Sequence, residues 1–423
     1  MATATYSVTT GTSDVNVAWR KVQGKVAEGA EFFSPEWNWY DDFPLDAIDW
    51  SLRETTIPID LLDEVGAGFL SEGGKLMRPS SVNMTDLTVP LTQMNARFTA
   101  SKLAKYANKG MSNQVESQLK YQATKKVQAL ARKFSIQTKG TSVGTIFLTD
   151  TNVPNSTDFN SLVPKDAFGL SDVDDLTYLT SLIKDNERIA IVDGSSLSAN
   201  SFGYVDAITA GTSYDVTFDT AATANTNNDL KVVGAASLEA TTLAGTDYNK
   251  SFNGWADFLT STNLHGIATS SYPKWAVGSD TTGGRLTSDR LWKAAHTIEN
   301  NGGGTMNTIE LSQGVWRDLV KGEASLVRHD SPKGMEIDGS VKMGGVTWKM
   351  SKYSIPQYAI CYDRKSYKKV ALLPKPEKTG GLTWSDGKEL IDDDGYVFEV
   401  NMVVGLFCTN RANTYYLSAL TES

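Results

Sequence analysis

The sequence is short of the residues from which most site chemistry is built. Among 423 residues it has two cysteines, Cys361 and Cys408, and three histidines, His265, His296 and His329. A single disulfide is no framework for a fold of this length, so a reducing compartment is acceptable. No His or Cys pair stands at metal-ligand spacing, which argues against a zinc site. No apolar run reaches membrane-spanning length. The opening residues, MATATYSVTTGTSDVN, carry neither a basic leader nor an apolar core. These absences predict a soluble chain, made without export by a signal peptide and without a membrane partner. Positive charge is also in deficit: 40 Lys and Arg against 49 Asp and Glu give a net charge of −9. That balance disfavours nucleic-acid binding by the surface as a whole, while local basic patches remain free to oppose it.

What the chain does have is a supply of apolar residues, 40% hydrophobic and 10% aromatic, with 35 glycines. This is ample for a buried core, and the length exceeds a typical single domain. The composition is that of a strand- and turn-rich globular protein.

Motifs for catalysis fail on context. Gly140-Thr141-Ser142-Val143-Gly144 matches G-x-S-x-G, but that mechanism needs a strand before the serine and a helix after it. Here a helical pattern precedes and a strand pattern follows. Gly278 to Arg285 resembles a phosphate loop without the lysine and Ser/Thr such a loop requires. Asp392-Asp393-Asp394, followed by Gly395, supplies only the first fragment of a calcium loop, and neighbouring carboxylates on extended chain point opposite ways. A solvated turn is the competing reading for these aspartates. No cofactor is predicted, and no enzyme.

The organisation is more informative. Val15 to Phe33 has the pattern of a short amphipathic helix. From Glu28 to Glu64 eleven acidic residues face one basic residue, Arg53, and Phe32, Phe33, Trp37, Trp39, Tyr40, Phe43 and Trp50 are interspersed. Pro35 and Pro44 discourage a continuous helix there. The segment reads as extended chain held by rings, either on its own domain or as an arm on another subunit, where aromatic anchors are over-represented. Ile57 to Thr99 reads as a two-stranded excursion that buries little of its own apolar surface and needs outside support.

Met111, Val115, Leu119, Ala123, Val127, Leu130, Ala131 and Phe134 then recur at spacings of three and four, one face of a helix capped by Ser112. From Lys102 to Lys139 the charges are eight lysines and Arg132 against Glu116 alone. Such a face is either plainly solvated or turned towards something anionic. Thr141 to Leu238 holds short strands, with Tyr214, Val216 and Phe218 alternating against Asp215, Thr217 and Asp219, and predicts a small barrel-like β domain with a helical turn over Ser171 to Lys184. A capped helix follows, started by Thr287 or Ser288, with Leu291, Ala295 and Ile298 on one face and Gly302 to Gly304 ending it. MNTIELSQGVWRDLVKG reads as a strand, a Ser312 cap and a second helix. GVTWKMSKYSIP and QYAICYD read as strands. After Gly395, Tyr396, Phe398, Val400, Met402 and Val404 alternate over nine residues, on the order of 30 Å of strand. Val397 and Val403 make its second face partly apolar, so the strand should be covered on both sides.

In this order the elements resemble a tailed-bacteriophage major capsid protein of the Hong Kong 97 type. SFNGWADFL with GIATSSYPKWAV is similar to the family's approach to its A-domain, and YVFEVNMVVGLFCTNR to its closing P-domain strand. The resemblance implies an α+β fold. Residues 1–55 would be an N-terminal arm, 56–100 an E-loop hairpin, 101–140 the P-domain spine helix and 141–240 an inserted β-rich domain. Residues 250–375 would be the A-domain, and 376–423 the P-domain return strands and C-terminus. It implies self-assembly as hexamers and pentamers into an icosahedral shell around double-stranded DNA, in a virion assembled in the host bacterial cytoplasm. Scaffolding, portal and decoration proteins are the partners of such a shell. The acidic helical pre-segment of some relatives is missing here, which implies a separate scaffold or none. Trp37, Trp39, Trp50, Lys75 and Arg78 would anchor arm and E-loop on neighbours, and Lys120, Lys125 and Arg132 would face the lumen and touch DNA without sequence preference. No motif names a partner for Lys75 in a covalent cross-link. An encapsulin-like bacterial compartment shares the implied fold and is the alternative.

Overall fold

The structure, a computed structural model, describes residues 54–60, 84–101, 129–130, 132–149, 158–171, 173, 175–192, 199–219, 231–234, 251–326, 342–343, 346–371, 382–384, 388–389 and 395–422. The chain divides into two compact units. Residues 1–42, 92–135 and 371–404 form the first, and residues 43–91, 136–370 and 405–423 form the second.

The second unit begins with a hairpin. Strand β1 (Glu54–Asp60) pairs antiparallel with β2 (Met84–Pro90), in register from Glu54 opposite Pro90 to Asp60 opposite Met84. Leu87 and Val89 on one face of β2 are fully buried, whereas Met84 is exposed. The sequence reads Ile57 to Thr99 as one two-stranded excursion; the pair here instead begins at Glu54 and ends at Pro90, and the strand-like residues from Thr92 onward pair with another part of the chain.

In the first unit, β3 (Thr92–Ser101) runs antiparallel to the first ten residues of β21 (Gly395–Cys408), with Arg97 directly opposite Glu399 and ion-paired to it at 3.1 Å. Short strands β19 (Leu382–Trp384) and β20 (Lys388–Glu389) pair with β21 as well. Of the helix predicted from Met111 to Ser135, residues 129–130 and 132–135 are described and are helical; the helix continues to residue 137.

Back in the second unit, seven antiparallel strands follow that helix: β4 (Thr145–Thr149), β5 (Asp158–Leu162), β6 (Pro164–Ala167), β7 (Arg188–Val192), β8 (Ala199–Thr209), β9 (Ser213–Phe218) and β10 (Lys231–Gly234). They form one sheet in the order β5-β9-β8-β7-β10-β4-β6. Tyr214, Val216 and Phe218 are buried as their alternation requires, and Phe147 stacks on Tyr214 with ring centroids 5.4 Å apart. Helix α1 (Leu176–Leu179), capped by Asp175, supplies the expected turn. Among the described residues the sheet is open, with β5 and β6 at its ends, where the strand pattern predicts a barrel-like domain. Its excursion leaves and returns at one point, because Ser251 N–H donates to the Ser142 carbonyl at 3.0 Å.

The rest of the second unit is a mixed sheet flanked by helices. After α2 (Trp255–Thr260) and a tight hairpin of β11 (Asn263–Leu264) and β12 (Ile267–Ala268), six strands assemble in the order β13-β22-β17-β14-β16-β15. These are β13 (Gly278–Asp280), β14 (Thr308–Leu311), β15 (Lys342–Met343), β16 (Val346–Met350), β17 (Ala359–Tyr362) and β22 (Thr414–Leu417), while β18 (Tyr367–Ala371) neighbours β21. Parallel pairing of β14 with β16 needs a crossover, and α4 (Gln313–Leu326) lies in that connection. Helix α3 (Ser288–Gly302) buries Leu291, Ala294 and Ile298 in a core shared with Leu311, Trp348 and Leu417. The predicted Ala295 is only half-buried; the stripe runs one residue earlier, as i, i+3, i+7. Thr287 caps α3 and Gly303 ends it at φ 67°, a conformation that costs glycine little. Ser312 Oγ accepts from Val315 N–H at 3.3 Å, the predicted cap of α4.

Candidate functional site

The polar groups that the second unit buries lie where its elements join. The helix ending at residue 137 delivers Lys139 into the sheet, where its ammonium pairs with Glu310 of β14; both side chains are 1% exposed. Ser354 Oγ also donates to Glu310, at 3.3 Å. Lys139 belongs to the basic run whose pattern predicts a solvated or anion-facing surface. It points inwards instead, because its helix has ended and the turn at 138–140 faces the core.

Helix α2 abuts that same turn. Trp255 N–H donates to the Thr138 carbonyl at 2.8 Å and Ala256 N–H to Lys139 at 3.1 Å, so free amides of one helix start satisfy free carbonyls of another helix end. A Cβ on Gly254 would lie 2.5 Å from the Gly140 carbonyl oxygen and 2.6 Å from that of Gln137, so only glycine fits. Arg411, 2% exposed, closes the far end of α2 by donating to the carbonyls of Phe258 and Ser261, each at 2.6 Å.

The hairpin root meets the β11–β12 turn. Thr88 N–H donates to the His265 carbonyl at 3.0 Å, and Thr85 Oγ1 to the Tyr272 hydroxyl at 3.0 Å. His265 sits at φ 55°, and Asn253 Nδ2 lies 3.2 Å from its Nδ1. Burial, with the Arg411 charge as a smaller cause, pushes its pKa down to about 4.

The rejected motifs find structural uses. Residues 132–137 are helical and β4 follows, so Ser142 lies in a helix-to-strand turn, the reverse of a nucleophile elbow; its N–H donates to Asp257 Oδ2 at 2.5 Å. The loop from Gly278 is stitched by its own carboxylate. Asp280 accepts from Thr282 Oγ1 at 2.6 Å, from Thr282 N–H at 3.1 Å and from Arg290 Nε at 3.1 Å. Its pKa is lowered to about 2, chiefly by the Thr282 hydroxyl. A carboxylate already occupies these donors and would repel a phosphate.

Arg132 is the one predicted site residue among those described; it lies in the helix and is half-buried. Trp37, Trp39, Trp50, Lys75, Arg78, Lys120 and Lys125 lie outside the described residues, as do the Val15 to Phe33 helix and Asp392 to Asp394. Among the described residues no three His, Cys, Asp or Glu side chains gather to hold a metal, and no helix is long and apolar enough to cross a membrane. Sequence reasoning missed Lys139, Glu310 and Arg411, whose partners are 150 or more positions away. It also missed Trp292, which is 74% exposed on α3. Trp292 carried a readable signal, since it falls off the Leu291 and Ile298 stripe.

No protein-family model and no curated protein matches the chain. Solved structures do. The capsid asymmetric unit of cyanophage A-1(L) aligns at 11% identity over 96% of this chain and 99% of that one, with a TM-score of 0.53. The capsid of a native GTA particle aligns at 11% identity over 94% and 95%, with a TM-score of 0.47. A chain of Gordonia phage Cozz aligns at 9% identity over 100% and 98%, with a TM-score of 0.44. The chain has the α+β fold of a phage capsid protein.

Proposed function

We propose that this chain is the major capsid protein of a tailed bacteriophage, assembling into an icosahedral shell around double-stranded DNA. The observation that carries the reading is the end-to-end correspondence with the cyanophage A-1(L) capsid subunit, 96% of one chain on 99% of the other. A correspondence of that extent leaves little of the chain for a separate catalytic domain. Function then resides in many weak interfaces repeated in closed symmetry. Within this reading the fold is of the Hong Kong 97 type. The β1–β2 hairpin is the stem of the E-loop and β3 with β21 the P-domain. The six-stranded sheet with α3 and α4 is the A-domain, and the seven-stranded sheet is the insertion. Hexamers and pentamers are the assembly units, residues 1–55 the arm, and Trp37, Trp39, Trp50, Lys75 and Arg78 its and the E-loop's anchors. Scaffolding, portal and decoration proteins complete the partner set of a virion assembled in the host cytoplasm.

Expression of the chain, alone and with the genes that neighbour its own, followed by negative-stain microscopy, tests the proposal. Uniform icosahedral particles are expected, with portal and terminase genes alongside. A chain that stays monomeric under every condition sinks it. Particles that enclose an enzyme encoded next door would place it instead with bacterial compartments of the encapsulin kind.

A further inference from the structure

One short segment, residues 410–422, ties together elements that lie far apart in the chain. Its strand, β22, sits between β13 and β17, and among the described residues β13 has no other neighbour in the sheet. Tyr415, Leu417 and Leu420 are buried in the core that also receives Leu291 and Ile298 of α3 and Val315 of α4. The same segment closes three helix ends. Arg411 donates to the carbonyls at the end of α2. At the end of α3, Asn410 Nδ2 donates to the Gly302 carbonyl at 2.9 Å, and Asn413 Oδ1 accepts from Gly304 N–H at 3.0 Å. Glu422 accepts from the Ser312 hydroxyl that caps α4, and from Gln357 N–H at 2.8 Å. We propose that residues 410–422 are a strap that closes last and admits the subunit to assembly: until they dock, α3 and α4 have no fixed place on the six-stranded sheet, and a chain in that state does not enter a shell.

The control of assembly rests on the reading of the chain as a shell subunit; the late closure does not. The segment follows every other described element in the order of synthesis, and its partners on β13 and β17 lie far back in the chain. Pairings of that separation cost loop-closure entropy before their contacts return it, so they form late. Strands β14, β16 and β17 can pair without the strap. The apolar stripe of α3 would then lack Tyr415 and Leu417 beneath it. Backbone strain marks the same place. Ala419 at φ 54° and Gln357 at φ 59° are both non-glycine residues in the left-handed region. They meet in the docked strap, where Leu420 N–H donates to the Gln357 carbonyl at 3.0 Å and Gly284 N–H to the Ala419 carbonyl at 3.1 Å. Such conformations persist only where the surroundings hold them, so neither belongs to the chain before docking. A chain interrupted before residue 410, or still in synthesis, thus lacks the finished α3 and α4 surface and cannot poison a growing shell.

The order of closure is tested on the full native chain by pulse-labelling hydrogen exchange during refolding, before assembly. The amides of α3 and α4 are expected to gain protection in the same phase as Thr414–Leu417. Protection of α3 and α4 in a clearly earlier phase overturns the strap. In the folded chain, Leu417→Ala removes a fully buried side chain. It should speed exchange over α3 and α4 about a hundredfold, with β8 and β9 as the unaffected reference. Equal acceleration everywhere would deny the segment any selective hold and count against it. Control of assembly is tested with Leu417→Asp, which places a charge where the strap must dock, expressed beside the native chain. Native particles free of the variant are expected. Incorporation of the variant overturns the control of assembly and leaves the shell reading standing. A native chain that never assembles overturns the shell reading and leaves the order of closure to the refolding experiment.

Discussion

Lys139 and Glu310, 171 positions apart, form an ion pair in which neither side chain is more than 1% exposed, and it ties the end of a helix to the centre of the six-stranded sheet. The attraction inside such a pair is offset by the loss of water from both charges, so its removal in full costs little, while removal of one member strands the other. Glu310→Gln is therefore expected to destabilise the unassembled chain by about 3–5 kcal/mol. The double change Lys139→Met with Glu310→Leu should recover most of that loss. Urea midpoints of the native chain and these variants check the order. A double variant as weak as Glu310→Gln would mean that the charges are needed for themselves.

The positions of Gly254 and Gly303 both favour glycine, for different reasons. A Cβ on Gly254 meets three backbone carbonyl oxygens at 2.5 to 2.7 Å, whereas one on Gly303 meets nothing within 4 Å and is opposed only by its φ of 67°. Gly254→Ala should force α2 off the preceding helix end at a cost of about 3 kcal/mol. Gly303→Ala should cost about 1 kcal/mol, and Gly303→Asn less, since asparagine tolerates the left-handed region. Thermal unfolding of the three variants separates clash from backbone strain. Equal losses at the two sites would contradict this assignment.

The pattern of what the sequence reveals follows from range. The alternation of Tyr214, Val216 and Phe218 is legible because strand periodicity is written in consecutive residues. So are the caps of α3 and α4, which lie within three residues of what they cap. The burial of Lys139 is not, because nothing near it in the chain distinguishes it from the lysines before it, and Glu310 lies in another element. Arg411 reads as part of a strand-like tail for the same reason; its acceptors at Phe258 and Ser261 exist only once α2 is docked. On α3 the pattern points to Ala295, one position off. Two adjacent alanines fit an apolar face equally well, and only the sheet beneath selects Ala294.

His265 is expected to contribute to the loss of stability in acid. Its folded pKa, pushed down to about 4 by burial, with the Thr88 backbone partly opposing and the Arg411 charge adding a smaller push, lies below the ordinary value of 6.5. The unfolded chain thus takes up a proton at a pH where the folded chain does not. Stability is fully present above pH 6.5, falls as the pH drops, and has lost about 3 kcal/mol by pH 4. The carboxylate of Asp280 contributes below that window, between its ordinary 3.8 and about 2. His265→Asn keeps a residue that tolerates the positive φ and removes the titration. Its denaturation midpoint should change less between pH 7 and pH 4 than that of the native chain. Parallel curves for the two proteins would exclude His265 as the cause.

On the proposed function, Lys120, Lys125 and Arg132 would meet packaged DNA through its phosphates, and such contacts are sensitive to salt and blind to sequence. Replacing Lys120, Lys125 and Arg132 together by glutamine should leave shells forming but weaken DNA retention as salt rises. The salt slope should fall by about 0.9 for each phosphate that is no longer neutralised. Arg132, already half-buried, should contribute least when the three are changed singly. Unchanged packaged genome length and an unchanged salt profile in the triple variant would remove this role.

Two tyrosines latch the seven-stranded region to the six-stranded sheet in opposite senses. Tyr178 O–H, from α1, donates to the Tyr353 carbonyl at 3.0 Å, and Tyr358 O–H donates back to the Ser171 carbonyl at 3.0 Å. Each bond is worth about 1 kcal/mol net, so Tyr178→Phe with Tyr358→Phe should cost about 2 kcal/mol without opening either core. The loss should appear locally. Amide exchange should accelerate over Leu176–Leu179 and the loop before β17, while β8 and β9 keep their protection, because the Phe147–Tyr214 stack and the buried face beneath it are untouched. Faster exchange throughout β8 and β9 would instead mean that the sheet depends on its latch to fold.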